Sequence, residues 1–246
     1  MDRNDPAYEG QREYTPLFLR IYDPLILGVF APVIWQCSAS RLLEGYRRHV
    51  GHRHLDVGPG TGYFLARAGL PDASPVTLLD PNVNVLSHAS RRLRNLDVTT
   101  VEADVLKPLP IDGPFDSAAL NGVIHCLPGP LPNKAAAIAN VAAVLTPGGV
   151  LFGSSILGTS GRHTWLGRRI LGANNRRGTF DNLGDTEEGL GEILGARFER
   201  VELETVGTMA VFAATHPRTM PLAGGNPEEV GVARSTVLGA LVRPGG

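Results

Sequence analysis

The sequence predicts an α/β fold with a largely parallel sheet, and three observations carry that prediction. A glycine-rich turn at 58–62 joins an apolar strand-like stretch to apolar residues at helical spacing. Short apolar runs then alternate with helical stretches as far as residue 156. Two adjoining strand-like runs, 198–204 and 208–214, would close the sheet as an antiparallel hairpin. A length of 246 residues suits one such domain with a small extension.

The turn reads His54-Leu55-Asp56-Val57-Gly58-Pro59-Gly60-Thr61-Gly62-Tyr63-Phe64-Leu65. Glycines there permit positive φ and let backbone N–H groups approach a ligand closely. A helix over 62–69 would direct its positive end at the same place. At the carboxyl edge of a parallel sheet, such a turn makes a site for a nucleoside-bearing ligand. The dinucleotide fingerprint G-x-G-x-x-G needs its third glycine where this chain has Tyr63. The pattern is instead Asp-x-Gly-x-Gly-x-Gly, over Asp56, Gly58, Gly60 and Gly62. By itself the turn leaves another kind of nucleotide-binding α/β protein open.

Four downstream segments extend the pattern. Val76-Thr77-Leu78-Leu79-Asp80 is an apolar run ending in an acid, placed to accept both ribose hydroxyls of a nucleoside. Val98 to Val101 alternates like a strand and leads into Glu102-Ala103-Asp104-Val105. Phe115 to Asn121 reads as the fourth strand, followed by Gly122-Val123-Ile124-His125-Cys126. Leu145-Thr146-Pro147-Gly148-Gly149 is a helix end and turn before a fifth strand. In this order, over about residues 50–215, the segments resemble the class I S-adenosylmethionine-dependent methyltransferases of small-molecule type. The resemblance implies a Rossmann-like seven-stranded sheet, an N-terminal helical cap and S-adenosyl-L-methionine as cofactor. It assigns Asp56, Gly58, Gly60 and Gly62 to the cofactor, Asp80 to its ribose, and Asp104 with Val105 to its adenine. Asn121 and Tyr14 are expected around the same ligand.

Strands are expected at 53–57, 75–79, 98–102, 115–120 and 149–156, and helices at 62–69, 83–94 and 133–145. The last helix is alanine-rich, as a well-formed helix should be. A further helix is expected within 161–175, and Asp185 is expected to cap a short one running to Leu194. The N-terminal region reads as three helical pieces, 11–22, 24–35 and 39–49, the third capped by Ser40. Its apolar stretch from Leu25 to Trp35 is too short to span a bilayer and is interrupted by Pro32. The organisation is therefore a cap at 1–50, a core at 51–216 and a tail at 217–246 with a short helical stretch at 230–241.

Composition narrows the partners. A net charge of −1 makes no electrostatic case for nucleic acid. The basic runs at Arg47-Arg48 and Arg91-Arg92 read as solvated helix faces and helix ends. Cys37 and Cys126 have neither metal-ligand nor disulfide-framework spacing. The first residues lack the apolar core of a signal peptide, so a cytoplasmic location with no membrane partner is expected.

A sulfonium methyl donor is already activated, so the protein must chiefly align donor and acceptor and exclude water. A general base helps when the acceptor holds its proton tightly. His125, just beyond the fourth strand, is the candidate base; the alternative is a histidine bonded to backbone or stacked on the cofactor. Tyr22, Trp35, Trp165 and Phe180 are candidates for the acceptor pocket. No metal site is expected, because the obvious acids Asp80 and Asp104 belong to the nucleoside. The acceptor expected is small and fairly apolar, a thiol or phenolic hydroxyl of a secondary metabolite or xenobiotic. A heteroaromatic nitrogen is the alternative. Two further readings stay open: a methyltransferase-like protein that binds the cofactor without methyl transfer, and a nicotinamide oxidoreductase.

Overall fold

The computed structural model describes residues 23–218. The expected helix at 11–22 with Tyr14 and Tyr22, and the tail beyond residue 218 with its helical stretch, lie outside the described residues.

Seven strands form one sheet: β1 His54–Val57, β2 Pro75–Leu79, β3 Asp97–Val101, β4 Phe115–Asn121, β5 Leu145–Ile156, β6 Phe198–Val206 and β7 Met209–Pro217. Their order is β3-β2-β1-β4-β5-β7-β6. Strands β1 to β5 pair in parallel, and β7 runs antiparallel to both β5 and β6. The central strands are largely buried on both faces because helices cover both. All four residues of β1 are buried, and so is most of β4.

The helices are α1 Ala39–His49, α2 Val83–Arg92, α3 Leu131–Ala142, α4 Trp165–Arg176 and α5 Glu187–Gly195. Before them, Asp23–Ile34 forms a π-helical segment. Among the described residues no helix is long and apolar enough to cross a membrane. Ile34, Trp35 and Leu42 of the N-terminal region join Ile156, Leu171 and Met209 in one apolar cluster. The N-terminal elements thus share a core with β5, β7 and α4.

Three local expectations are corrected. The helix expected at 62–69 is reduced to a 3-10 turn at Leu65–Arg67. Gly62 and Gly69 both take positive φ, 72° and 82°, and leave too few residues between them to repay helix nucleation. The segment that follows the glycine turn therefore directs no helix dipole at it. Ser38, not Ser40, caps α1, accepting the Arg41 N–H at 3.2 Å. Thr186, not Asp185, caps α5 by accepting the Gly189 N–H at 2.9 Å.

Asp185 is occupied elsewhere. Its carboxylate accepts from Lys134 Nζ at 2.7 Å, with side-chain exposures of 3% and 0% for Asp185 and Lys134. Lys134 also donates to the Asp181 carbonyl at 2.6 Å. Helix α3 is thereby bolted to the segment leading into α5. Removing one member of a buried pair leaves the other charge desolvated without compensation. Lys134→Ala is expected to lower unfolding stability by about 3–5 kcal/mol in urea titrations. A loss under about 1 kcal/mol would show that the pair does not carry this link.

Candidate functional site

The described carboxyl edge of the sheet opens into a cavity of about 320 Å³. Two groups of residues line it. The first comes from the glycine turn and the tips of the strands: Gly58, Pro59, Gly60, Thr61, Asp80, Asn82, Asp104, Val105 and Asn121. The second is apolar and aromatic: Leu27, Phe30, Ala31, Trp35, Tyr46, Phe180, Ile156 and Met209, with His125 and Thr179 among them.

Backbone geometry explains the turn. Gly58 and Gly60 have φ of 66° and 55°, the left-handed region that L side chains avoid. A Cβ on Gly58 would also lie 2.6 Å from Val123 Cγ2, beside the exit of β4. A Cβ on Gly60 would meet nothing within 4 Å. Gly60 therefore presents bare backbone to the open cavity. Gly62 is absent from the cavity lining; it packs against α2, its notional Cβ 3.4 Å from Ala89.

Asp80 stands at the end of β2, and its carboxylate accepts the Asn82 N–H at 2.7 Å. Burial raises its pKa to about 7, against the smaller opposing effect of that hydrogen bond. It is a carboxyl with unused acceptor capacity on the cavity wall. Asp104 accepts the Leu106 N–H at 2.9 Å and lies 3.6 Å from Lys107 Nζ. These two acids, the bare turn and the space beside it suit a nucleoside with hydroxyl and amino donors. The arrangement fits S-adenosylmethionine.

Asp56 lies beneath the turn rather than in the cavity lining. It is 2% exposed and accepts from the Tyr46 hydroxyl at 3.1 Å. Burial raises its pKa to about 7, while the Tyr46 bond acts the other way. Tyr46 lines the cavity, stacks on Phe64 at 5.2 Å and meets Phe152 edge-on at 5.1 Å. No motif marks Tyr46, because its role is set by Asp56, Phe64 and Phe152, which lie on other elements.

A second unforeseen contact fastens the N-terminal segment to the turn. Thr61 donates to Asp23 at 2.5 Å, Arg92 donates to Thr61 at 2.8 Å, and Arg92 pairs with Asp23 at 2.7 Å. Nothing local in sequence announces this triangle, because its members come from three separate elements.

At the aromatic end, Trp35 is 5% exposed and its ring lies 6.1 Å from that of Phe180. Phe180 in turn meets the His125 ring edge-on at 4.7 Å. Trp165 departs from expectation: it is 66% exposed, outside the cavity, with the Arg169 guanidinium 5.1 Å from its ring. Its helical spacing revealed an amphipathic helix, but the inward face of α4 is that of Leu171 and Asn174.

His125 is 5% exposed, in a 3-10 turn just after β4. Its Nδ1 accepts the Ile156 N–H at 3.3 Å. Burial, with a smaller effect from the Lys134 charge, lowers its pKa to about 3. This geometry opposes the expected role as a base and matches the backbone-bonded alternative. Cys126 also lines the cavity, and burial raises its thiol pKa to about 12, so it is no nucleophile at neutral pH.

Comparison with known proteins agrees with this geometry. A family model described as "Methyltransferase domain" matches residues 55–151. Demethylluteothin O-methyltransferase from Streptomyces thioluteus is 38% identical over 84% of this chain and 90% of its own length. The physcion biosynthesis cluster O-methyltransferase of Aspergillus chevalieri is 35% identical over 89% of this chain and 100% of its own. An N-methyltransferase of Penicillium aethiopicum is 35% identical over 75% of this chain and 78% of its own. The solved N-methyltransferase NodS from Bradyrhizobium japonicum, in complex with S-adenosyl-L-homocysteine, superposes with a TM-score of 0.52 at 16% identity, covering 72% of this chain and 84% of that one. At that identity the likeness is one of fold.

Two outcomes follow from the site. Gly60→Val should abolish S-adenosylhomocysteine binding in calorimetry while leaving the circular dichroism of the folded chain unchanged. Asp80→Ala should weaken the same binding by about 1–3 kcal/mol, the scale of hydrogen bonds to a charged group. Undiminished affinity in either folded variant would refute that placement of the ligand.

Asp56 gives a pH signature. Its folded pKa of about 7 lies above that of an exposed carboxyl, so the folded chain keeps a proton that the unfolded chain releases. This contribution to stability falls as pH rises from about 4 to about 7. His54 and His125 act oppositely: burial lowers both to about 3, and stability from them rises with pH up to the unfolded value near 6.5. Asp56→Asn removes only the first effect. Between about pH 5 and pH 8, denaturant titrations should show the stability of this variant changing in a more favourable direction than that of the native chain. Equal pH profiles would contradict the buried, proton-holding state of Asp56.

Proposed function

Because the chain belongs to the class I S-adenosylmethionine-dependent methyltransferases, we propose that it methylates a hydroxyl on a small, fairly apolar aromatic or enolic metabolite. One observation carries this reading. A single cavity is lined on one side by Gly58, Gly60, Asp80 and Asp104 and on the other by Trp35, Phe180 and His125. The O-methyltransferases among its relatives, one of them from a biosynthesis cluster, favour oxygen as the acceptor atom.

The cofactor supplies an activated methyl group on a sulfonium sulfur. The chain's own residues do the rest. Gly58 and Gly60 admit the ligand to the backbone, and Asp80 and Asp104 offer carboxylates to its hydroxyl and amino donors. The glycine turn is held by Gly58 N–H donating to the Leu79 carbonyl at 2.8 Å and by the Asp23–Thr61–Arg92 triangle. Trp35 and Phe180 flank an aromatic acceptor and keep water from the reacting atoms. The segment carrying Phe180 is pinned on the sheet: Asn182 donates to the Ile156 carbonyl at 2.8 Å, and the Asp181 N–H donates to the His125 carbonyl at 3.0 Å. Such anchoring keeps acceptor and donor in a near-attack geometry, from which most of the rate enhancement can come.

The test is a panel of phenols, enols, thiols and heteroaromatic amines incubated with S-adenosylmethionine, with S-adenosylhomocysteine formation and mass gain recorded. Phenols or enols should be the productive class. Trp35→Ala should raise the acceptor KM about tenfold or more while cofactor affinity stays within about twofold, as expected when one aromatic wall is lost. Turnover confined to amines or thiols would overturn the choice of oxygen.

A further inference from the structure

We propose that His125 acts as a hydrogen-bond donor, through Nε2–H, to the oxygen of an acceptor that enters the cavity already ionised. The substrate class is then an acidic phenol or an enol whose oxygen is conjugated to a carbonyl. This deepens the hydroxyl-methylation reading and rests on it.

The argument starts from the backbone. The Ile156 N–H points at Nδ1 at 3.3 Å, so that nitrogen offers a lone pair and the proton of the neutral ring resides on Nε2. The ring itself is on the cavity wall, edge-on to Phe180. Taking up a second proton would create an imidazolium in a buried pocket beside a cation. On the α3 side that cation is Lys134, held by Asp185 and the Asp181 carbonyl; the adjacent titratable group on its own turn is the Cys126 thiol. Burial and Lys134 both lower the histidine pKa, which keeps the ring neutral throughout the physiological range. The remaining described carboxylates of the cavity, Asp80 and Asp104, stand at the nucleoside wall.

The balance of the step requires no base. A lone pair of the acceptor oxyanion forms the O–CH₃ bond, the C–S bond breaks with its electrons passing to sulfur, and the sulfonium becomes the thioether of S-adenosylhomocysteine. The charge lost by the acceptor and the charge lost by sulfur cancel. The hydrogen bond from Nε2 favours the anionic form on binding and fixes the direction of the oxygen.

The experiment uses para-nitrophenol, whose anion is coloured, with the full chain and S-adenosylhomocysteine. Bound para-nitrophenol should ionise at lower pH than free, with the anion favoured on the order of tenfold, the scale of one hydrogen bond to a charged group. His125→Asn, which keeps an N–H donor, should retain part of the shift, and His125→Phe should lose it. With S-adenosylmethionine, the rising limb of kcat/KM should follow the ionisation of each acceptor, moving between para-nitrophenol and the much less acidic para-cresol. A rising limb at one pH for both acceptors, lost in His125→Asn, would assign a base and overturn the proposal. So would an unshifted spectrum, or no binding of para-nitrophenol in either form. The spectral readout needs no turnover, so a failure to transfer methyl groups to any hydroxyl would strike the proposed function separately.

Discussion

Everything at this site depends on the adjacency of β1 and β4 in the sheet. The chain leaves β1 toward β2 and β3 on one side, then returns to lay β4 against β1 and continue to β5 on the other. The loops after β1 and β4 therefore diverge, and the carboxyl edge between them must open. The register aligns His54 with Ser117 and Asp56 with Ala119, which brings Gly58 and Val123 side by side just past the strand ends. Only a glycine fits that approach. The opening so formed is the cavity, and the acids at the ends of β2 and β3 come to its rim by the same parallel register.

The cost of keeping that edge open is met by buried polar groups behind it. Asp56 with Tyr46 supports the turn from below, and Lys134 with Asp185 and Asp181 supports the aromatic wall from behind. Such groups are costly to bury, and pairing offsets the cost only in well-defined geometry. Their value is directional: each accepts one arrangement of its neighbours. The Asp181 N–H bond to the His125 carbonyl ties two segments of the aromatic wall together, so the orientation of Phe180 and that of the His125 ring are set together.

What was legible in the sequence was local. The glycine turn, Asp80, Asp104 and the sheet with its closing hairpin follow from motifs and alternation that act over a few residues. The helix after the turn failed because positive-φ glycines at 62 and 69 outweigh helical spacing between them. Trp165 points outward although it lies at helical spacing, because periodicity identifies a helical face without saying which face turns inward. Nothing local marks Lys134 in its alanine-rich helix, yet it is wholly buried on a partner that follows 51 residues later. Tyr46 and the Asp23–Thr61–Arg92 triangle escaped for the same reason: contacts between distant segments leave no periodic trace. His125 was found by its position after β4, but its chemistry is decided by the Ile156 N–H, which only the folded sheet brings to it.

The most direct measurement is a calorimetric titration of the purified chain with S-adenosylmethionine, S-adenosylhomocysteine and NADH. The account predicts stoichiometric binding of both sulfur nucleosides and no heat with NADH. Binding of NADH in their place would contradict the assignment of the glycine turn, Asp80 and Asp104 to a sulfonium nucleoside, and with it the chemistry built on that cavity.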